Sequence, residues 1–172
     1  MRWIWIDQII EYEPDKRLVA IKNVSLAEEH LHDHFAAEPG LDPRPVMPAS
    51  LLIEGMAQTA GILVGSVNGF REKVILAKIA AARFDADVLP GQTVRYEATL
   101  QRIDASGAST TGLVLRDSHT GGPPQPIGQV DLLFSHIDQN VAGVNFPKDN
   151  FVFSSSLRLL LQGAGFEALS VP

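Results

Sequence analysis

Residues 48–65 read PASLLIEGMAQTAGILVG, and this stretch decides the fold. Its apolar side chains occur on every side of a helix, which predicts a long helix buried in the core. Ser50, Glu54 and Gln58 interrupt the apolar pattern at i, i+4 and i+8, so they lie in one row along the helix. Because an unpaired carboxylate in apolar surroundings is costly, Glu54 must be hydrogen-bonded or functional. It is a candidate for acid–base chemistry beside an apolar tunnel.

The composition indicates one soluble domain. The chain has 172 residues, of which 45% are hydrophobic and 20% charged, and its net charge of -6 argues against a nucleic-acid partner. The absence of cysteine excludes disulfides, thiol nucleophiles and thiolate metal sites. The first residues lack the pattern of a signal peptide, and no run of about 18 apolar residues occurs. We therefore expect a cytoplasmic protein without a membrane span.

The segments around the helix read as a single antiparallel sheet. Residues 93–103 alternate between apolar and polar side chains, as is typical of a half-buried strand. Further strands are predicted at residues 3–12, 17–24, 74–84, 109–117 and 127–137. Residues 34–48 are predicted to be a loop, Ser25 to cap a short helical turn, and Pro48 to lie in the first turn of the long helix.

A long helix wrapped by one antiparallel sheet is an α+β architecture. A single sheet covers such a helix only in part, so we expect the chain's own tail or a second copy of the sheet to cover the rest. We assign residues 1–137 to one domain and residues 138–172 to an extension that packs on it. Within the extension, residues 154–162 are predicted to form a short amphipathic helix.

Three segments together resemble the 3-hydroxyacyl-[acyl-carrier-protein] dehydratases of bacterial fatty-acid synthesis, of the FabZ type and more distantly the FabA type. They read IDQIIEYEPDKRLVAIKNVSLAEEHLHDHF at 6–35, PVMPASLLIEGMAQTAG at 45–61 and RFDADVLPGQTVRYEATL at 83–100. The resemblance covers about residues 6–137. It implies the hot-dog fold and a homodimer, which could assemble further into a trimer of dimers.

The resemblance also implies a site. His34 is then the catalytic histidine, Glu54 the catalytic carboxyl and Gln58 its hydrogen-bonding neighbour. The resemblance implies three further residues for substrate binding or support: Val46, Ala49 and Phe35. The backbone carbonyl of Val46 would brace the histidine, and the N–H of Ala49 would face the thioester oxygen. In the family, the histidine and the carboxyl of one site come from different subunits.

The implied reaction removes water from a (3R)-hydroxyacyl thioester and leaves a trans-2-enoyl thioester. A neutral imidazole is a suitable base near pH 7, and a carboxyl can protonate or position the leaving hydroxyl. An N–H at a helix start stabilises charge on the thioester oxygen. No metal or organic cofactor is needed, and acyl carrier protein is the expected partner.

Three departures from the family pattern stand near the site. The usual Gly-His-Phe-Pro is Asp-His-Phe-Ala at 33–36, and the usual Met-Pro-Gly is Met-Pro-Ala at 47–49, where alanine lacks glycine's freedom at positive φ. His34 and Glu54 also lie about six residues further apart than is usual. The extra residues, around 38–43, are predicted to form a surface loop near the tunnel mouth.

Two other functions remain open from the sequence. A hot-dog acyl thioesterase could use Glu54 to activate water, and a catalytically inactive copy could bind acyl chains or an active partner subunit. The histidines at 30, 32 and 34 could also suggest a metal site, although the family uses none.

Overall fold

A computed structural model describes residues 3–33, 37–40, 42–117, 122–137 and 155–165, with backbone alone at 32, 33, 137 and 155–158. Within these ranges the elements are β1 (Gln8–Glu13), β2 (Arg17–Asn23), α1 (Glu29–Asp33), α2 (Ala49–Val67), β3 (Lys73–Phe84), β4 (Thr93–Asp104), β5 (Gly107–Asp117), β6 (Gln125–Ile137) and α3 (Ser155–Gly163). The strands form one antiparallel sheet in the order β1-β2-β4-β5-β6-β3. Because α2 packs against β2 to β6, the predicted helix wrapped by one sheet is confirmed.

The start of α2 is set by Pro48. Its φ of -56° and ψ of 134° are extended, so it is the N-cap residue and the prediction that it lies in the first turn is wrong by one position. Its carbonyl accepts hydrogen bonds from the N–H groups of Leu51 at 2.9 Å and Leu52 at 3.2 Å. A proline fits here because its missing N–H has no acceptor to lose at a helix start.

One face of α2 is buried and the other is not. Leu52, Met56 and Leu63 are almost completely buried against the sheet. The half-exposed residues of the opposite face are Leu51, Ile53, Glu54, Ala57, Gln58 and Gly61. The prediction of burial on every side is therefore wrong for the single chain, because one sheet covers only one side. By length and composition α2 could span a membrane, but 56% of that stretch is buried, as in the core helix of a soluble protein.

The predicted first strand starts too early. β1 begins at Gln8, and residues 3–6 run along α2 instead of pairing with β2. Trp5 and Ile6 are buried in the core there. Residues 3–6 therefore pack on a helix and do not belong to the sheet.

The predicted short turn capped by Ser25 is present, with the Glu28 N–H donating to the Ser25 carbonyl at 3.1 Å. The Ser25 hydroxyl accepts a hydrogen bond from the Ala27 N–H at 3.2 Å, so it caps a turn. The helix α1 starts only at Glu29.

The described part of the C-terminal extension is helical. α3 matches the helix predicted at 154–162, lies against β1 and buries Leu161 in the core, while Leu159 is exposed. The division of the chain into residues 1–137 and 138–172 stays a prediction.

A close approach between helix and sheet places the polar row of α2. The ring of Tyr96, on β4, is fully buried and lies directly on Gly55, where a Cβ atom would overlap the phenol group. Gly55 follows Glu54 in the chain, so this contact sets how far Glu54 stands from the sheet.

We expect Gly55→Ala to destabilise the fold by about 1–3 kcal/mol or more, because neither the helix nor the buried ring can move away. Gly61→Ala on the same helix is the matched control. Its nearest neighbour would be Phe134 at 3.7 Å, and alanine favours a helix by up to about 1 kcal/mol. Urea denaturation of the two variants measures the difference. Equal stabilities would show that the Tyr96 contact does not constrain α2.

Candidate active site

The polar row of α2 forms a hydrogen-bonded pair. Gln58 Nε2 donates to Glu54 Oε1 at 2.9 Å, as expected for residues one turn apart on a helix. Both side chains are half-buried on the open face of α2, and Ser50 is exposed one turn earlier. The predicted pairing of Glu54 with Gln58 is present in the structure.

The N-terminal segment adds contacts that the sequence did not suggest. Trp3 Nε1 donates to Glu54 Oε1 at 2.9 Å. The Trp5 N–H donates to Gln58 Oε1 at 2.9 Å, and Gln58 Nε2 also lies 3.3 Å from the Trp3 carbonyl. The sequence signal for these contacts is the spacing of the chain's two tryptophans, which are two residues apart. The same spacing is equally typical of a β-strand.

The loop before α2 is tied to another segment of the chain by a backbone hydrogen bond. Val46 is buried, and its N–H donates to the Arg44 carbonyl at 2.8 Å. The Met47 N–H donates to the Val88 carbonyl at 2.8 Å, which ties the loop to the segment before β4. Val46 thus lies in a hydrogen-bonded loop just before the helix. The contact of Val46 with His34 stays a prediction, because His34 lies outside the described residues.

Ala49 is the first residue of α2, where N–H groups have no acceptor within the helix and the helix dipole is positive. The described non-glycine residues with positive φ are Asp15 and Phe70, so Ala49 has an ordinary backbone conformation. Glycine's freedom is not needed at this position. The N–H that the family pattern requires is therefore retained with alanine.

His34 and Phe35 lie outside the described residues. The helix α1 ends at Asp33, directly before them. On α1, the His30 ring contacts Trp5 edge-on with ring centroids 5.0 Å apart, and its Nε2 lies 3.4 Å from Glu28 Oε2. The N-terminal segment therefore connects α2, which carries Glu54, with the helix that leads to His34.

The extra residues around 38–43 are exposed wherever the structure describes them. Gly40 has a φ of 86°, which glycine adopts without strain. The predicted surface position is confirmed for this part of the loop.

Burial keeps the hydroxyl of Tyr96 neutral. Burial, and secondly the negative charges of Asp7 and Glu28, raises the pKa of its hydroxyl. The buried Lys22 ammonium balances the same two carboxylates, at 3.3 Å from Asp7 and 2.5 Å from Glu28. Tyr96 therefore contributes shape and no proton transfer near neutral pH.

No three histidine, aspartate or glutamate side chains converge as metal ligands in the part of the chain that the structure describes. The side chains of His32 and His34 lie outside that part, so the histidine cluster is not tested.

We expect Gln58→Leu to release the N-terminal segment, because the Trp5 N–H and Glu54 both lose a partner at a half-buried site. The free energy of unfolding should fall by about 1–2 kcal/mol, and hydrogen exchange at the Trp5 amide should accelerate. Ser50→Ala in the same row is the control and should change neither quantity. Unaltered exchange at Trp5 in Gln58→Leu would contradict this arrangement.

Comparisons with known proteins agree on the family. A family model described as a FabA-like domain matches residues 3–118. The 3-hydroxyacyl-[acyl-carrier-protein] dehydratase FabZ of Solibacter usitatus is 38% identical over 117 residues, which cover 67% of this chain and 68% of that protein. The FabZ of Magnetococcus marinus is 42% identical over 103 residues, 57% of this chain and 62% of that one.

The share of each relative that is covered varies. The bifunctional enzyme LpxC/FabZ of Chlorobaculum tepidum is 41% identical over 103 residues, which are 59% of this chain and 21% of that protein. The chain thus spans from about a fifth to about two thirds of these curated relatives.

Solved structures show the same fold. A chain of the dehydratase heterocomplex ApeI:P from Xenorhabdus doucetiae aligns with a TM-score of 0.60 at 17% identity, covering 80% of this chain and 85% of that one. A hypothetical thioesterase with coenzyme A from Streptococcus pneumoniae aligns with a TM-score of 0.57 at 10% identity, covering 78% and 88%. Identities this low show the fold alone, but the family model and the curated relatives go further: this chain belongs to the FabA-like family, as its resemblance predicted.

Proposed function

We propose that this chain dehydrates (3R)-hydroxyacyl-[acyl-carrier-protein] to trans-2-enoyl-[acyl-carrier-protein] in fatty-acid biosynthesis. The supporting observation is the Glu54 carboxyl, which stands half-buried on the open face of the core helix with one oxygen held by two N–H donors. Relatives that are 38–42% identical are named for this activity.

Each proposed residue has one role. His34 takes the proton from the α-carbon, and the C–O bond at the β-carbon breaks. The Glu54 carboxyl gives its proton to the departing hydroxyl, which leaves as water. The Ala49 N–H stabilises the negative charge on the thioester oxygen. Val46 and Phe35 support the histidine.

The edge strand β3 supports a homodimer. Three of its residues pair with buried residues of β6: Leu76 with Phe134, Ile79 with Leu132 and Ala82 with Val130. Directly paired residues point to the same side of a sheet, so these β3 side chains face the core side. Ile79 is nevertheless 44% exposed, so the packing of α2 against β3 leaves this residue uncovered in the single chain. A second copy that pairs along β3 would cover it and remove a long apolar edge.

The same second copy would complete the site. The open face of α2 carries Glu54 beside the apolar side chains of Leu51 and Ile53. In the family, the histidine that works with this carboxyl belongs to the other subunit. We therefore propose a dimer as the active unit, which could assemble further into a trimer of dimers. From the role of the family in fatty-acid synthesis we also propose acyl carrier protein as the partner and a cytoplasmic location.

The thioesterase alternative gains little support from the comparisons. Structures named as thioesterases or acyl-CoA hydrolases share 16% identity or less with this chain, which reflects a common fold.

We expect Ile79→Lys to weaken the dimer, because it places a charge where the second copy should bury an apolar side chain. Leu113→Lys is the matched control: Leu113 is 39% exposed on β5 between two buried residues and so faces away from α2. Light scattering should give a single-chain mass for Ile79→Lys and a dimer for wild type and Leu113→Lys. A monomeric wild type, or a dimeric Ile79→Lys, would count against pairing along β3.

The activity test follows loss of water from 3-hydroxyacyl carrier thioesters by mass spectrometry. Wild type should dehydrate them, and both His34→Ala and Glu54→Gln should fall by at least about 100-fold, as for the loss of a general acid or base. The Leu113→Lys control should retain activity. Hydrolysis of the thioester in place of dehydration would favour a thioesterase, and no turnover across several chain lengths by folded protein would favour an acyl-binding subunit.

A further inference from the structure

The N-terminal segment is held against α2 by a side-chain amide. Gln58 Oε1 accepts from the Trp5 N–H, and Gln58 Nε2 lies 3.3 Å from the Trp3 carbonyl. A neighbouring strand would bind the two backbone groups in the same way. This two-point contact determines which residue of the segment stands beside Glu54, and that residue is Trp3.

The donors on Glu54 converge on one oxygen. Trp3 Nε1 and Gln58 Nε2 both donate to Oε1 at 2.9 Å. Among the residues with described side chains, none donates to Oε2. Two N–H donors from different directions fix the rotation of the carboxyl plane, so Oε2 is left to face a substrate.

The two tryptophans differ in a way that singles out Trp3. The Trp5 ring is 7% exposed, and its Nε1 has no hydrogen-bond partner within the described chain, so it serves as apolar filling. The Trp3 ring is 59% exposed and contacts Trp5 edge-on at 5.6 Å. A largely exposed ring gains little from burial, and its specific interaction is the hydrogen bond to Glu54.

We propose that Trp3 is a positioning residue for Glu54: its indole N–H holds Oε1 and thereby directs Oε2 toward the β-hydroxyl of the acyl substrate. This inference rests on the proposed dehydratase function. It adds a residue that the family pattern around His34 and Glu54 does not contain.

The kinetic test compares two replacements of Trp3. Trp3→Phe removes the N–H and leaves a smaller single ring, whereas β-(3-benzothienyl)alanine at position 3 keeps the two-ring shape with sulfur in place of N–H. Both should lower kcat for dehydration by about tenfold or more, the effect of losing a hydrogen bond to a carboxyl that becomes charged as it gives up its proton. KM should change less than kcat, because the proposed hydrogen bond acts on the catalytic carboxyl and not on substrate binding. A folded benzothienyl variant with wild-type kcat would overturn the proposal.

A second readout needs no activity. In proton–nitrogen correlation spectra the chain has two indole N–H signals, and Trp3→Phe identifies the one from Trp3. Glu54→Ala should move the Trp3 signal upfield and speed its exchange with water, and the Trp5 signal should move much less. An unmoved Trp3 signal would show that the bond to Glu54 is absent and would overturn the proposal.

The two failures are distinguishable. If wild type dehydrates no 3-hydroxyacyl thioester, the proposed function falls and the role of Trp3 falls with it. If wild type is active and both Trp3 replacements match it, only the role of Trp3 is overturned.

Discussion

The structure depends on the need to satisfy the carboxyl of Glu54 and the amide of Gln58 on a mostly apolar helix. Glu54 and Gln58 stand on α2, where an unpaired carboxylate or amide would be costly. Gln58 meets this need with both ends of its amide, binding Glu54 on its own helix and the backbone on either side of Ile4. The start of the chain is thereby held along α2, and β1 begins only at Gln8.

The two faces of α2 have different tasks. One face packs on the sheet so closely that Tyr96 requires a glycine at position 55. The other face carries Glu54 and remains partly open in a single chain. The apolar core side of β3 is uncovered at the adjacent edge, and Ile79 shows this most clearly. A site between two subunits requires a carboxyl, an apolar face and an edge strand on the same side of the molecule. These are the features on which the proposed dimer rests.

Sequence patterns predicted the parts of the fold that depend on local periodicity. β4 was identified because its apolar side chains alternate, and α2 because its apolar run is too long for a strand. Residues 3–6 were misassigned because an apolar Trp-Ile run looks the same whether its backbone groups bind a strand or the amide of Gln58. The open face of α2 was missed because the sequence does not distinguish apolar side chains that lie open in the single chain from those that face its core.

The candidate site was predictable in part. Glu54 and Gln58 were found because a polar row on an apolar helix has few structural explanations. The place of Ala49 at the helix start followed from the family pattern, and its ordinary φ answers the question raised by the missing glycine. The Trp3 contact depends on how distant segments meet, which no local pattern encodes. In the proposed dimer, the relation of His34 to Glu54 depends in addition on how the two copies associate.

The most direct test of this account is a crystal structure with a 3-hydroxyacyl pantetheine analogue that carries an amide in place of the thioester. The account predicts the β-hydroxyl within about 3 Å of Glu54 Oε2, with Trp3 Nε1 and Gln58 Nε2 both on Oε1. A bound analogue whose β-hydroxyl lies away from Glu54, or a Glu54 carboxyl turned so that Trp3 occupies the place of the substrate, would contradict it.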